Sequence, residues 1–239
     1  MLIKFLGTGG AFDHEYGNSS AWISWKGKRI LLDCGSTVYG ALRRAHLSDQ
    51  IDHILITHFH DDHIGSLSTT ILNGHFFQNP PHKINILVPN REYRDQIVAL
   101  LSMMLIKPED YVSFTFQEEV PGLTFIDTKN LHVNGMQTYG FIFEDDEEIV
   151  AYSGDLGDCN IIFDHIPKGT EKPVRVFHEI TFEKTEGIHT YYKDLMPRLA
   201  DYPIYGYHID PRENPADNSI PLVAHFPHLL AKGVRGYHP

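Results

Sequence analysis

A cluster of metal-ligand side chains follows an apolar, β-branched segment in the first third of the chain. Residues 57–63 read Thr-His-Phe-His-Asp-Asp-His and fit the pattern H-x-H-x-D-H. Side chains two positions apart in an extended chain point to the same side, so His58 and His60 can bind one cation together. The chain then turns, and Asp62 and His63 are predicted to face a second cation. Imidazole nitrogens and carboxylate oxygens suit zinc, manganese or iron(II).

A polar loop that is merely rich in histidine is the alternative interpretation, because the chain has 16 His among 239 residues. Chance pairs are expected at that frequency. Four ligand-type side chains within six positions, at the end of an apolar strand, are not expected by chance. The sequence therefore favours a metal site.

Further ligand-type residues follow predicted strands in the second half of the chain. His132 follows residues 123–131, Asp155 follows residues 149–154, and His208 follows residues 204–207. An isolated His is more often structural, but beside H-x-H-x-D-H each of these residues completes a two-metal site. One cation would be held by His58, His60 and His132, and the other by Asp62, His63 and His208, with Asp155 bridging both.

Three more residues could act beside such a site. Asp33 ends a predicted strand and is either a ligand or a buried carboxylate that orients the metal-binding loop. Glu179 ends the strand Val174–Glu179, and His189 precedes a helix-like segment. A carboxylate bonded to one imidazole nitrogen fixes the tautomer and makes the ring a better proton donor. Strand-end acids and helix-start histidines also occur as caps, so both interpretations stay open.

The predicted elements fall into two similar halves. Strands over residues 2–6, 21–25, 29–32, 51–56 and 84–88 alternate with helices over residues 36–45, 65–77 and 90–105. The hairpin over residues 21–32 leads into Asp33-Cys34-Gly35, as the hairpin over residues 138–152 leads into Ser153-Gly154-Asp155. We expect an α/β fold in which two β-layers lie face to face with helices outside. No linker-like stretch divides the chain, so residues 1–239 are predicted to form a single domain.

Composition narrows the possible functions. The net charge of −11 disfavours a broad electrostatic contact with DNA or RNA. Cys34 and Cys159 are too few for a disulfide framework. We expect no signal peptide and no membrane span, and therefore a cytoplasmic protein. The acidic run at residues 145–148 is predicted to be a solvated hairpin tip.

The chain resembles the metallo-β-lactamase superfamily over essentially its whole length. The motifs that carry the resemblance are Leu32-Asp33-Cys34-Gly35, residues 57–63, His132, Ser153-Gly154-Asp155 and His208. It is most similar to the ribonuclease Z branch, whose H-E-A-T-F, H-S/T and H-I-S-P-R segments resemble residues 178–182, 189–190 and 208–212. The resemblance implies an αβ/βα sandwich, two divalent metal ions (zinc first, manganese as the alternative) and hydrolysis of phosphodiesters. It also implies that Glu179 and His189 form a catalytic pair.

One departure from that branch changes the expected substrate. Ribonuclease Z enzymes carry a long basic arm that clamps tRNA, whereas a short hairpin with an acidic tip separates His132 from Asp155 here. The chain should therefore bind tRNA poorly. It is similar to the armless phage anti-Pycsar enzymes, which hydrolyse 3′,5′-cyclic nucleotides, in length, in residues 17–20 and in keeping Glu179 and His189. That resemblance implies a small nucleotide substrate, a homodimer, and action in the host cytoplasm if the gene belongs to a phage.

The expected chemistry assigns a role to three side chains. His189, polarised by Glu179, would stabilise or protonate the leaving sugar oxygen, and Asp62 would accept the proton of the attacking water.

Three alternative functions remain: a ribonuclease Z-type tRNA 3′-processing endonuclease, a thioesterase or lactonase of the glyoxalase II type, and a metal-dependent sensor or scaffold without activity. The sequence leaves base selectivity open. Aromatic rings stack on bases, but core or loop packing is the default role of the candidate pocket residues Phe12, His14, Tyr16 and Asn18.

Overall fold

The computed structural model describes residues 1–77, 81–105 and 107–236. Within that part of the chain, eleven strands form a six-stranded and a five-stranded sheet, and helices flank them. The predicted α/β sandwich of two sheets is therefore confirmed. The domain predicted over residues 1–239 includes residues 78–80, 106 and 237–239, which lie outside the described residues.

The first sheet has the strand order β1-β2-β3-β4-β5-β6. Its strands are β1 Leu2–Gly7, β2 Ser20–Trp25, β3 Lys28–Leu32, β4 His53–Leu55, β5 Ile84–Val88 and β6 Val112–Phe116. Strands β1 to β3 are antiparallel neighbours, whereas β3 to β6 are parallel. Parallel neighbours need crossover connections, which the helices supply.

The second sheet has the order β11-β10-β9-β8-β7. Its strands are β7 Leu123–Asp127, β8 Tyr139–Glu144, β9 Ile149–Tyr152, β10 Val174–Glu179 and β11 Ile204–Tyr207. An antiparallel meander of β7, β8 and β9 is followed by the parallel strands β10 and β11. Each sheet thus begins with three antiparallel strands and continues with parallel ones, as the internal similarity of the two halves predicts.

The α-helices are shorter than the sequence predicts. They are α1 Val38–Ala45, α2 Asp61–Ile64, α3 Leu67–Phe77, α4 Arg91–Ser102, α5 Ile161–Asp164 and α6 Tyr192–Leu195. Single 3₁₀ turns cover Pro108–Asp110, Gln117–Glu119, Met196–Ala200, Pro211–Glu213, Val223–His225 and Pro227–Leu229. The segment after His189 is only one α-helical turn, because Pro197 has no backbone N–H and the chain continues as a 3₁₀ helix. No helix among the described residues is long and apolar enough to cross a membrane.

The core lies between the two sheets and continues behind the second one. Alternate residues of β8 divide between the two layers: Phe141 and Phe143 pack between the sheets, and Ile142 packs under the outer helices. The ring of Phe5 in the first sheet lies 5.2 Å from that of Phe177 in the second. Trp25 meets Phe143 edge to face at 5.5 Å. These contacts fix the relative position of the strand ends that carry the site.

The acidic hairpin tip is only partly solvated, which corrects the sequence-based expectation. Arg175 forms a bidentate pair with Glu148, with distances of 2.8 and 3.0 Å. Lys172 contacts Glu144 at 2.7 Å. Only Asp146 and Glu147 of the run are exposed, because the neighbouring strand presents a cation to the base of the hairpin.

Candidate metal centre and active site

Three histidines from distant parts of the chain form the first set of ligand atoms. His58 and His60 lie in the loop between β4 and α2, and His132 lies beyond β7. The distance from His58 Nε2 to His60 Nδ1 is 2.9 Å, and from His60 Nδ1 to His132 Nε2 it is 3.2 Å. One nitrogen of each ring lies within 4.8 Å of the other two. The predicted first set is brought together.

Four side chains form the second set. Asp62 and His63 belong to α2, Asp155 follows β9, and His208 follows β11. His63 Nε2 lies 3.2 Å from Asp62 Oδ2 and 3.4 Å from Asp155 Oδ2. His208 Nδ1 lies 3.0 Å from Asp155 Oδ1. A carboxylate oxygen of Asp155 also lies within 4.8 Å of a His132 nitrogen, so Asp155 stands between the two sets, where a bridging ligand belongs.

The donor atoms of the second set have the character of metal ligands. His63 Nε2, Asp155 Oδ1 and His208 Nδ1 are buried, and none of them makes a hydrogen bond to the described residues. Buried polar atoms without a partner cost free energy, and native proteins seldom leave them so. A divalent cation would satisfy all three atoms at once. The residues present therefore fit such an ion.

A buried hydrogen-bond network fixes the histidine rings. The carboxylate of Asp33 accepts a bond from His63 Nδ1 at 2.8 Å and from the backbone N–H of Thr57 at 2.7 Å. The Thr57 hydroxyl lies 2.9 Å from Asp33 Oδ2 and 3.0 Å from His58 Nδ1. With both Nδ1 atoms engaged, the Nε2 atoms of His58 and His63 are left free to bind a cation. Asp33 is thus an orienting residue, the second of its two predicted roles.

Thr57 is the contributor that the sequence analysis missed. Its hydroxyl contacts Asp33, His58 and His63 and is fully buried. The available signal was a hydroxyl residue directly before the first histidine of the motif. A hydroxyl at that position indicates a supporting role only when Asp33, which follows a different strand, is known to lie beside Thr57.

Burial and neighbouring charges set the protonation of the histidines. Burial holds the pKa of His58 well below its ordinary value, so the ring is neutral and can bind a cation. Burial also disfavours the charged form of His63, but the carboxylates of Asp155 and Asp33 outweigh it and raise that pKa well above the ordinary value. The second set therefore carries strong negative potential.

The backbone is strained where two of these residues leave their strands. Asp33 has a φ of 60° and His208 a φ of 69°, both in the left-handed region that residues with a Cβ seldom adopt. The N–H groups of His208 and Ile209 both donate to the carbonyl of Thr8, at 2.8 and 3.0 Å. This bifurcated contact holds His208 in the unusual conformation.

Two of the predicted strand boundaries are wrong. His132 does not directly follow a strand, because β7 ends at Asp127 and a loop intervenes. The N–H of Thr128 bonds to the carbonyl of Thr138 at 3.1 Å, which closes that loop in place of the strand ladder. Asp155 likewise lies three residues beyond Tyr152, the end of β9. Both residues are therefore placed by loops and not by strand pairing.

Glu179 and His189 are placed as a pair beside the ligand atoms. Glu179 is fully buried, and its Oε1 accepts bonds from the N–H groups of Leu156 and Thr190 at 3.1 and 2.9 Å. Its Oε2 lies 3.4 Å from His189 Nδ1. Burial disfavours the charged imidazole, but the hydrogen bond and charge of Glu179 outweigh it and raise the pKa of His189 to about 9. His189 is therefore held as a proton donor, with its ring centroid 4.9 Å from that of His132.

The site opens into a cavity of about 410 Å³. His60, Asp62, His132, Asp155, His189 and His208 form its polar end. Its other walls are mainly apolar and consist of Gly10, Ala11, Phe12, Val133, Ile180, Thr181, Ile188 and Ile209. No Lys or Arg occurs among the described residues that line it.

The four candidate pocket residues divide by role. Phe12 lines the cavity. Asn18 is buried and accepts a hydrogen bond from the N–H of Thr37 at 2.9 Å, so it packs two loops together. Tyr16 lies under the guanidinium groups of Arg212 and Arg235, and His14 is exposed beside it. Loop packing, the default role, holds for Asn18 and Tyr16.

Comparison with known proteins supports a common fold and a family. Human tRNase Z, short form, aligns with 89% of this chain and 93% of its own, at a TM-score of 0.61 and 17% identity. The metallo-β-lactamase fold protein YhfI from Bacillus subtilis aligns over 90% of this chain and 89% of its own, at a TM-score of 0.68 and 19% identity. The chain therefore has the metallo-β-lactamase fold.

Two relatives of similar length carry the same description. The anti-Pycsar protein Apyc1 of Bacillus phage 010DV004 is 29% identical over 225 residues, which cover 84% of each chain. That of Paenibacillus harenae is 26% identical over 209 residues, covering 82% of this chain and 83% of the relative. The sequence model of the family described as "Anti-Pycsar protein Apyc1" matches residues 1–220. With nearly the whole chain matched, this protein belongs to the anti-Pycsar protein Apyc1 family.

Proposed function

We propose that this protein is a metal-dependent phosphodiesterase that opens 3′,5′-cyclic mononucleotides. The observation that carries the proposal is the position of Asp155 between two sets of ligand atoms, with the Glu179–His189 pair beside them. Family membership and the arrangement of the site both support a metal-dependent hydrolase of phosphodiesters. The cyclic mononucleotide is the finer part of the proposal.

The donor set fits two divalent ions. His58, His60 and His132 would hold one ion, Asp62, His63 and His208 the other, and Asp155 would bridge them. When bound, such ions lower the pKa of water toward about 7 and neutralise charge on a phosphate. Mixed imidazole and carboxylate ligands favour zinc, with manganese as the alternative.

The remaining chemistry belongs to three side chains. Asp62, whose Oδ2 lies 3.5 Å from His208 Nε2, accepts the proton of the attacking water. Glu179 keeps the His189 imidazole charged and oriented. His189 then donates its proton to the sugar oxygen as the P–O bond breaks. The chain thus supplies a proton acceptor and a proton donor from separate loops.

The cavity and the charge favour a small substrate. A cavity of about 410 Å³ can enclose a mononucleotide, but the described residues that line it include no Lys or Arg to bind further phosphates. Only the hairpin of β8 and β9 stands between His132 and Asp155, and its tip is acidic. With a net charge of −11, the chain lacks the electrostatic attraction that long nucleic acids require. These features disfavour tRNA 3′-processing as the activity.

Thioester hydrolysis and a non-enzymatic role would each leave parts of the site unused. A thioesterase of the glyoxalase II type would use the ligand sets but not the Glu179–His189 pair. A sensor or scaffold would require neither that pair nor an open cavity. A homodimer stays a prediction, which molecular-mass measurement in solution can test.

A hydrolysis screen tests the proposal. Protein loaded with Zn²⁺ or Mn²⁺ is given 3′,5′-cyclic mononucleotides, cyclic dinucleotides, precursor tRNA and a thioester in parallel. Turnover confined to cyclic mononucleotides is expected. Preference for precursor tRNA at physiological salt would support the nuclease, preference for the thioester would support the thioesterase, and inertness toward every substrate would support the non-enzymatic role.

A further inference from the structure

The apolar end of the cavity is built from side chains that folding would normally bury. Phe12, Val133 and Ile188 have exposed fractions of 93%, 37% and 39%, and all three line the cavity. They come from three loops that are far apart in the sequence. Exposed apolar side chains gathered at one concave site mark a place where a ligand covers them.

The loop that carries Phe12 is held firmly at its base. The Asp13 carboxylate accepts bonds from the N–H groups of Glu15 and Tyr16, both at 2.9 Å, and so fixes the turn. The N–H of Gly9 bonds to the carbonyl of Gly17 at 2.8 Å and closes the loop. The backbone that carries Phe12 is therefore held in place before a ligand binds.

The same loop lies against a residue of the second ligand set. A Cβ placed on Gly10 would be 3.4 Å from the imidazole of His208, so the backbone two residues before Phe12 lies on that ring. A phosphate held at the ligand atoms would thus have an aromatic face within the same cavity. The ligand atoms and the apolar wall therefore belong to one cavity, which can receive a molecule that carries a phosphate and an apolar group.

We propose that Phe12 is the surface on which the nucleobase of the substrate stacks, with Val133 and Ile188 completing the apolar enclosure. This inference rests on the proposed phosphodiesterase function and names the group that the site recognises besides the phosphate. A flat heteroaromatic ring presents a π-face to Phe12 whatever its identity. Among the described residues of that wall, Thr181 alone has a polar side chain, and its hydroxyl accepts a bond from the N–H of Glu183 at 3.3 Å. Phe12 therefore selects for the presence of a ring rather than for its identity.

The test compares a substrate with a base to one without. Steady-state kinetics of Phe12→Ala and Phe12→Tyr are measured with 3′,5′-cyclic AMP and with methyl ribofuranoside 3′,5′-cyclic phosphate, which lacks the base. We expect Phe12→Ala to raise KM for cyclic AMP roughly 5- to 150-fold and leave kinetics with the base-free compound unchanged. Phe12→Tyr should restore the KM for cyclic AMP. The matched control is Phe77→Ala, because Phe77 is 81% exposed and lies at the end of α3, outside the lining of this cavity.

Two results would overturn the stacking role. An equal loss of kcat/KM with both substrates would show that Phe12 is a structural residue of the loop. Unchanged kinetics with both substrates would show that Phe12 takes no part in substrate binding. A change in molecular mass accompanying equal loss would identify a subunit contact instead. Binding of a cyclic phosphorothioate analogue of cyclic AMP, measured by calorimetry on metal-loaded protein, separates this inference from the proposed function. Phe12-dependent binding without hydrolysis would refute only the function, and no binding at all would refute both.

Discussion

The Nδ1 atom of His132 donates a hydrogen bond of 2.8 Å to the carbonyl oxygen of Ile188, the residue directly before His189. The bond fixes the tautomer of His132, so that Nε2 faces the first ligand set, and it anchors the loop that carries His189. A second contact supports the same loop: a Cβ on Gly157 would lie 1.9 Å from the carbonyl oxygen of Gly187. His189 is therefore positioned by the segments that carry the ligand atoms.

Replacing His189 should separate catalysis from metal binding. His189→Ala should keep its metal content and lose roughly 10²- to 10⁴-fold in kcat, because a general acid contributes about that much. Elemental analysis and steady-state kinetics measure the two effects. His165→Ala is the control, since His165 is exposed and its imidazole bonds, among the described residues, only to the carbonyl of Ile161. Unchanged turnover would remove His189 from the mechanism.

Replacing Asp155, unlike replacing His189, should reduce the metal content of the protein. Asp155→Ala removes the carboxylate between the two ligand sets, so bound metal should fall and activity with it. Metal content after gel filtration gives the answer, with the exposed Asp164→Ala as the matched control. A full metal complement in Asp155→Ala would contradict the bridging role.

Thr57→Val tests whether the Thr57 hydroxyl supports the histidines of the ligand sets. Valine keeps the shape of threonine but leaves His58 Nδ1 without the hydroxyl 3.0 Å away and removes a bond to Asp33. We expect a loss of about 1–3 kcal/mol in the free energy of unfolding. Metal affinity should fall by roughly 10- to 100-fold, because partners behind a ligand tune it. Urea denaturation and metal titration measure both, against Thr124→Val on the exposed face of β7. Equal behaviour of the two variants would show that the hydroxyl has no supporting role.

The raised pKa of His189 predicts a pH dependence in protein stripped of metal by a chelator. Burial opposes the charge of His189, but Glu179 raises the pKa from 6.5 to about 9. Because the folded-state value is the higher one, the stabilisation is fully present below about pH 6.5 and is lost as the pH rises through about 9. Glu179→Gln removes it.

The measurement is the free energy of unfolding of wild-type protein and Glu179→Gln across that pH range. Groups that titrate alike in both proteins cancel in the difference. The advantage of the wild type should shrink between about pH 6.5 and 9. A difference that is constant with pH would mean that Glu179 does not set the pKa of His189.

Sequence alone predicts the ligand residues because local spacing encodes much of the site. Within H-x-H-x-D-H, two side chains join one set of ligand atoms and two join the other, and the strand–turn–helix geometry of one short segment explains both directions. The paired hairpins likewise follow from alternating apolar residues, and the two sheets repeat the same order of connections. Which residues hold which ion stays a prediction, and the two groups of side chains that lie close together support it.

The parts that sequence could not predict depend on contacts between distant segments. Thr57 gains its role only from Asp33, and the loop of His132 is held by a bond between Thr128 and Thr138 rather than by strand pairing. The exposure of Phe12 is likewise invisible in the sequence, where a phenylalanine in a loop is as readily packed as solvated. Long-range packing decides all three.

The cavity without Lys or Arg has a consequence for how the protein behaves among competing anions. Away from the polar end, where His189 and the proposed ions lie, the described lining offers a polyphosphate or an RNA strand no positive charge, and the surrounding chain, at −11, repels both. We therefore expect abundant ribosomal and messenger RNA to leave the catalyst uninhibited. A small nucleotide substrate at low concentration could then bind the site even in a large excess of nucleic acid.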